Sequence, residues 1–211
     1  MTKKLVFQIN VPNHILTSKA SSYTYIQDMY AISERNARLY ATKNKADYYL
    51  LTRADDFKPA AHKHLDYQKL KMYDFLEYDQ IIYFDSDYVI KDNAPNLFDL
   101  CKDNFSAVTD PGKSVPKLAE TLGIDRNRYF NAGFMYMVKD VLLKTKDFLS
   151  EYLENDYQYD GQGILNKLFF DKNIKYIPLN SQEWNPVDQT FGRYADHYSG
   201  KNKILWDPTR Y

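Results

Sequence analysis

Short apolar runs alternate with longer amphipathic stretches along the chain. "KLVFQIN" (residues 4–10) has the composition of a buried strand, while 25–43, "YIQDMYAISERNARLYATK", repeats its apolar positions at helical spacing. "DYYLLT" (47–52) predicts a second strand. "YQKLKMYDFLEY" (67–78) predicts an amphipathic helix with Leu70, Tyr73 and Leu76 on its apolar side. "IIYF" (81–84) and "YVI" (88–90) follow as strands on either side of two acids. "FSAVT" (105–109) and "FNAGFMYMV" (130–138) read as buried strands, with "KDVLLKTKDFLSEYL" (139–153) as a helix behind them. "GILNKLFF" (163–170) predicts a short helix and "IKYIPL" (174–179) a last strand. Strands alternating with helices predict a three-layer α/β/α sandwich around a mostly parallel sheet. In such sheets ligands sit at the carboxyl ends of the strands.

No internal repeat, low-complexity tract or linker divides the sequence, so one domain over 1–211 is expected. Two longer connections, 53–64 and 111–128, have the length of binding loops. His62 and His64 lie in the first of them, where an alternating His-Lys-His in a polar loop reads as solvated rather than metal-binding.

Lys+Arg and Asp+Glu number 28 each, and this balance removes the electrostatic case for nucleic acid or an anionic membrane as the main partner. The single cysteine, Cys101, rules out an internal disulfide framework and fits a reducing compartment. No signal peptide is read at the start and no run reaches a membrane-spanning length of about 18 apolar residues, so a cytoplasmic protein without a membrane span is expected. The 20 tyrosines and 12 phenylalanines are read mainly as core.

The chemistry concentrates in "QIIYFDSDYVI", residues 80–90. Asp85 and Asp87 leave a four-residue apolar strand one residue apart, and Ser86 between them is small enough for a tight turn. Two like charges at the end of a core strand are a poor device for stability. They can both turn toward one hard cation, and oxygen ligation selects Mn²⁺ or Mg²⁺, whose open positions accept phosphates. Lewis-acid assistance to a departing diphosphate is the chemistry this suits.

Five motifs in order, from Lys69 to Trp206, extend that reading: "KLKMYDFLEYDQIIYFDSD", "FSAVTDPG", "YFNAGFMYMV", "YDGQGILNKLF" and "HYSGKNKILW". Together they resemble the retaining GT-A glycosyltransferases, the group that includes glycogenin and bacterial lipopolysaccharide galactosyltransferases. The resemblance implies a GT-A fold, with 1–90 as the nucleotide-binding half and 91–211 as the sugar and acceptor half. It implies that Asp85, Asp87 and His197 hold Mn²⁺ (or Mg²⁺), with Ser86 in the turn between the acids. Lys69, sixteen positions before Asp85, would reach the donor. Asp110 would accept hydrogen bonds from sugar hydroxyls, and the Asn131 amide would lie beside them.

Gln162, Ile164, Leu165 and Asn166 fit the fourth motif. Gly161 stands where the family has an acid, and Asp160 lies one residue earlier. Asp160 and Gln162 are the residues expected near the reacting face. Gly200 and Lys203 match the last motif, with Lys203 placed to neutralise the diphosphate, although the family's proline is absent and Trp206 comes one residue late. The base would lie near the end of the first strand, around Gln8, Asn10 and Val11.

The implied reaction moves a hexosyl group from a UDP-sugar donor to an acceptor hydroxyl, on a glycan or glycoconjugate, with retention. The resemblance extends to a small N-terminal domain of a multidomain protein, in which case further domains would follow Tyr211. Self-glycosylation of the glycogenin kind and a non-catalytic carbohydrate-binding module remain alternatives. A nucleotidyltransferase is disfavoured because "QINVPNHILTSKASS" has no glycine for a triphosphate loop.

Overall fold

The computed structural model describes residues 2–10, 24–53, 65–110, 112–154, 160–184, 191–198 and 206–211. Six strands form the main sheet: β1 (Lys4–Ile9), β2 (Asp47–Leu51), β3 (Gln80–Asp85), β5 (Phe105–Thr109), β6 (Phe130–Val138) and β7 (Tyr176–Leu179). Their order is β2-β1-β3-β6-β5-β7. β1 pairs in parallel with β2 and β3, and β5 pairs in parallel with β7. β6 runs antiparallel to both its neighbours, β3 and β5. The sheet is mostly parallel as the sequence predicts, and the reversed strand is an addition.

Alternation along the central strands assigns the two faces. Gln8 and Phe84 meet α1 (Thr24–Lys43), the first through Ser33 and the second edge-on to Tyr40. Phe7 and Tyr83 face the other way, where Phe75 packs against Phe7. That second layer holds α4 (Lys139–Glu154), α5 (Gly161–Asp171) and a 3-10 helix over Leu65–Asp74, whose Tyr73 hydroxyl meets Thr145 of α4. Each central strand is thus buried on both sides, which is why it reads as a continuous apolar run.

The segment expected as an amphipathic α-helix at 67–78 is the 3-10 helix, and Leu76 lies beyond its end. Tyr67, Leu70 and Tyr73 are buried at steps of three, the spacing that superposes side chains in 3-10 geometry. The connection expected over 111–128 contains α3 (Val115–Leu122), with Pro116 in its first turn and Gly123 closing it in a left-handed conformation (φ 67°). Its buried face joins Ile124 and Tyr129 in a small separate cluster. The connection at 54–64, with His62 and His64, lies outside the described residues.

Two short helices, α2 (Leu97–Cys101) and α6 (Ser181–Trp184), and a two-stranded antiparallel ribbon of β4 (Tyr88–Ile90) with β8 (Ala195–His197) complete the fold. Eleven of the twelve largest fully buried side chains among the described residues are tyrosines or phenylalanines, so the aromatics serve chiefly as core. No helix among the described residues is long and apolar enough to cross a membrane. Cys101 ends α2 with 5% exposure, and burial pushes its thiol up. Because the thiolate is the nucleophile, its reaction with an aromatic disulfide reagent at pH 8 is expected to be far slower in the native protein than after unfolding in guanidinium, when followed by released thiolate absorbance.

Candidate functional site

The site begins where β3 ends. Asp85 is its last residue, Ser86 and Asp87 make the turn, and β4 then leaves the main sheet for the ribbon. Phe84 and Tyr88, on either side of the turn, lie with near-parallel rings (5.4 Å, 13°). Phe134 of β6 is near-parallel to both, and Trp184 of α6 is parallel to Phe134. This aromatic group supports the acidic turn from within, and Asp85, Ser86 and Asp87 are each half-buried.

His197 arrives from β8. It stands opposite Tyr88 in the ribbon, while the next residue, Tyr198, donates its N–H to the Asp87 carbonyl at 2.9 Å. His197 Nε2 lies 3.6 Å from Asp87 Oδ1. Two atoms sharing one ion at about 2.1 Å stand roughly 3.0–3.5 Å apart, so this pair is near the spacing of common ligands. Carboxylate and imidazole donors also match a divalent ion such as Mn²⁺.

Asp85 is oriented differently. Its Oδ1 accepts a hydrogen bond from the Tyr83 hydroxyl and lies 3.9 Å from Lys69 Nζ. Consequently no three acidic, histidine or cysteine side chains among the described residues are grouped closely enough to hold a metal. The set of three ligands expected from the sequence is therefore present as a pair, Asp87 with His197, and a neighbour turned to other partners. Asp85 has the Tyr83 hydroxyl and the Lys69 ammonium as neighbours, while Asp87 has the His197 imidazole. Lys69 is buried and sits over the Tyr83 ring at 5.7 Å, so it lies beneath the acidic turn rather than on an exposed helix face.

Gly133 connects this corner to a second cluster. A Cβ there would come within 2.9 Å of Asp85 Oδ2 and 3.0 Å of Asn131 Oδ1, so only glycine lets the two side chains approach. The Asn131 amide donates to Asp110 Oδ2 at 3.3 Å, and Gln162 Nε2 donates to the same oxygen at 3.1 Å. Gln162 Oε1 accepts from Ala132 N–H (2.8 Å), and Asp110 Oδ1 accepts from Gly112 N–H (2.8 Å). Asn166 fastens α5 to the start of β6 by accepting from Phe130 N–H and donating to its carbonyl, at 2.8 and 2.9 Å. Gly133 thus stands against both the Lys69–Asp85 pair and the hydrogen-bonded group of Asn131, Asp110 and Gln162.

Two expected residues have other parts. Asp160 is exposed and caps α5, its Oδ1 accepting from Gly163 N–H at 2.8 Å; a short acceptor at a helix start is drawn to that use. Gln8 is 1% exposed, with Nε2 donating to Ser33 (2.7 Å) and Oε1 accepting from Tyr48 (2.8 Å), so it braces α1 against the sheet instead of presenting its amide. Asn10 is half-buried just beyond β1, with its N–H bonded to the Leu51 carbonyl at 2.9 Å. Val11, Gly200 and Lys203 lie outside the described residues. Tyr83 is a site neighbour that sequence reasoning passed over; its place two residues before Asp85, on the same face of the strand, is the signal that could have found it.

The sequence profile of glycosyl transferase family 8 matches residues 6–204. Galactinol synthase 6 of Arabidopsis thaliana is 27% identical over 180 residues, covering 75% of this chain and 49% of its own length. The chain spans less than half the length of the first three curated relatives it matches (38%, 49% and 39%). A glycosyltransferase involved in the glycosylation of the major capsid of PBCV-1 superposes with a TM-score of 0.60 at 12% identity, over 96% of this chain and 98% of that one. The galactosyltransferase LgtC, solved with donor and acceptor sugar analogues, superposes at 0.58 and 16% identity, over 98% and 93%. At these identities the likeness to the solved structures is one of fold. That fold is the GT-A arrangement, and the profile match across nearly the whole chain makes this protein a member of glycosyl transferase family 8.

Proposed function

We propose that this chain transfers a hexosyl group from a UDP-sugar to an acceptor hydroxyl, with retention and with a divalent cation. The observation that supports this reading is the juxtaposition, across Gly133, of an acidic turn facing an imidazole with the hydrogen-bonded group of Asp110, Asn131 and Gln162. The relatives' names favour galactose as the first sugar to try. The two halves, 1–90 and 91–211, would divide the work between nucleotide and sugar.

Asp87 and His197 would hold Mn²⁺ or Mg²⁺, with Asp85 turning from Tyr83 to join them, and the ion would supply Lewis-acid stabilisation of the departing diphosphate. Lys69, buried under Asp85 at 3.9 Å, would help to orient that carboxylate. Ser86 in the turn and Lys203 from the last motif would face the phosphates, while Gly200 would allow close backbone approach. Asp110 accepts two amide hydrogens at one oxygen, and donor hydroxyls can replace them without leaving the carboxylate unsatisfied. Asn131 offers both a donor and an acceptor to the same sugar. Gln162, fixed by Ala132 N–H, would border the reacting face, where charge develops on an oxocarbenium-like ring. Asn10 and Val11 would lie near the base.

Titration calorimetry with UDP, with and without Mn²⁺, tests the donor site without knowledge of the acceptor. Tight binding that requires Mn²⁺ is the expected result; equal binding without it overturns the metal assignment, and no binding in either case overturns the UDP site. Asp87→Ala is expected to abolish the Mn²⁺-dependent component while moving the melting temperature by less than about 4 °C, because it removes one of two like charges. Gly133→Ala is expected to destabilise by about 1–3 kcal/mol, through crowding of Asp85 and Asn131, and to depress UDP release from UDP-galactose, followed by a coupled UDP assay.

A further inference from the structure

The ribbon of β4 and β8 has three residue pairs: Tyr88 with His197, Val89 with Asp196, and Ile90 with Ala195. A pairing so short has little intrinsic stability, and a slip of one residue would turn His197 away from the acidic turn. Something else has to fix its register.

Asp196, next to His197, is fully buried. Its Oδ1 receives Lys91 Nζ at 2.8 Å and Gly192 N–H at 2.9 Å; its Oδ2 accepts from the Tyr211 hydroxyl, with Arg210 Nη2 at 4.0 Å. Lys91 immediately follows β4 and also donates to the Gly192 carbonyl at 2.7 Å. Gly192 lies close to its neighbours: a Cβ there would stand 2.3 Å from the Ala195 carbonyl oxygen and 2.9 Å from that of Glu183. Tyr211 shares its hydroxyl with Tyr198 (2.8 Å), stacks on Trp206 (5.4 Å, 12°) and receives Arg35 at its carbonyl (3.0 Å). One carboxylate therefore ties together the end of β4, the approach to β8 and the segment 206–211.

Stability alone is a weak reason for such a group. Desolvating a carboxylate costs several kcal/mol, and well-packed apolar residues in place of a buried ion pair are often neutral or stabilising. What an apolar pair lacks is a unique partner. Side chains alternate across a strand, so with Asp196 bound to Lys91 on one side of the ribbon, His197 is directed to the other.

We propose that Asp196 is a positioning residue: through Lys91, Gly192 and Tyr211 it locks the register of the β4–β8 ribbon and so sets His197 against Asp87 for cation binding. This rests on the donor-site reading above. The latch orders the ligand pair before the cation arrives, so its loss should appear in metal affinity separately from stability.

The test compares the unaltered protein with Asp196→Asn, Tyr211→Phe and the double variant Lys91→Met/Asp196→Leu. Mn²⁺ affinity in the presence of UDP is read from free-Mn²⁺ electron paramagnetic resonance, and metal-free melting temperature is read in parallel. Asp196→Asn is expected to weaken Mn²⁺ binding by roughly 10- to 100-fold, the range for groups that orient metal ligands, and Tyr211→Phe by less. The double variant is expected to regain melting temperature without regaining Mn²⁺ affinity. Affinity that returns together with melting temperature overturns the proposal, as does unaltered affinity in the Asn and Phe variants. Tyr211→Phe, which removes one hydroxyl, carries the test if Asp196→Asn does not fold. Absence of Mn²⁺-dependent UDP binding in the unaltered protein overturns the donor-site reading and the latch with it; its presence, with affinity unchanged in the variants, overturns the latch alone.

Discussion

Holding two carboxylates at the end of a buried strand is the constraint on which the rest of the structure depends. Like charges brought to about 4 Å in partly buried surroundings repel by about 4 kcal/mol. The chain manages this by giving each acid a different partner, Tyr83 and Lys69 for Asp85 and His197 for Asp87. The backbone of the turn is held by the rings of Phe84 and Tyr88 on its two sides, with Phe134 and Trp184 beyond them. Those rings are bulky and have few rotamers, so they fix where the acids leave the sheet at a low entropic cost.

The reversed direction of β6 is what brings the second half of the site to the first. Had it run parallel to β3, its start would lie at the far edge of the sheet. Running antiparallel, it begins beside the carboxyl ends of both β3 and β5, with Phe134 opposite Phe84 and Phe130 opposite Thr109. Asn131 and Gly133 therefore stand between Asp85 and Asp110, and α5, clamped through Asn166, delivers Gln162 to the same place. The register shift between Ala107 and Val108 falls in the pairing of β5 with β6 next to this corner, as bulges near sites often do.

Much of this was legible because strand ends and acids are local features. The buried strands, the long helices, and the acids at 85, 87 and 110 could be read from runs of a few residues. Direction in the sheet could not, since an antiparallel strand buried on both faces carries the same apolar run as a parallel one. The 3-10 geometry of Leu65–Asp74 was hidden because steps of three satisfy a helical pattern as well. Asp196 was passed over because nothing local distinguishes it: its partners lie at 91, 192 and 211, and a buried acid looks like a surface one until those segments meet. Gln8 and Asp160 illustrate the opposite case, polar residues expected beside a ligand that the scaffold employs for its own hydrogen bonds.

The capping role of Asp160 bears on the chemistry of the proposed reaction. With Gly161 buried where the resemblance implies an acid, and Asp160 exposed at the helix start, Asp110 is, among the described residues, the carboxylate that the neutral amides of Asn131 and Gln162 flank. In the proposed reaction, a single described carboxylate there would give limited direct stabilisation of positive charge developing on the sugar. More of the barrier reduction would then fall on the leaving-group side, where a cation held by the acidic turn and its imidazole would neutralise the diphosphate charge. On that reading, catalysis would depend on how well the diphosphate end is preorganised, and a short ribbon holding His197 in register would be as consequential as any residue touching the sugar.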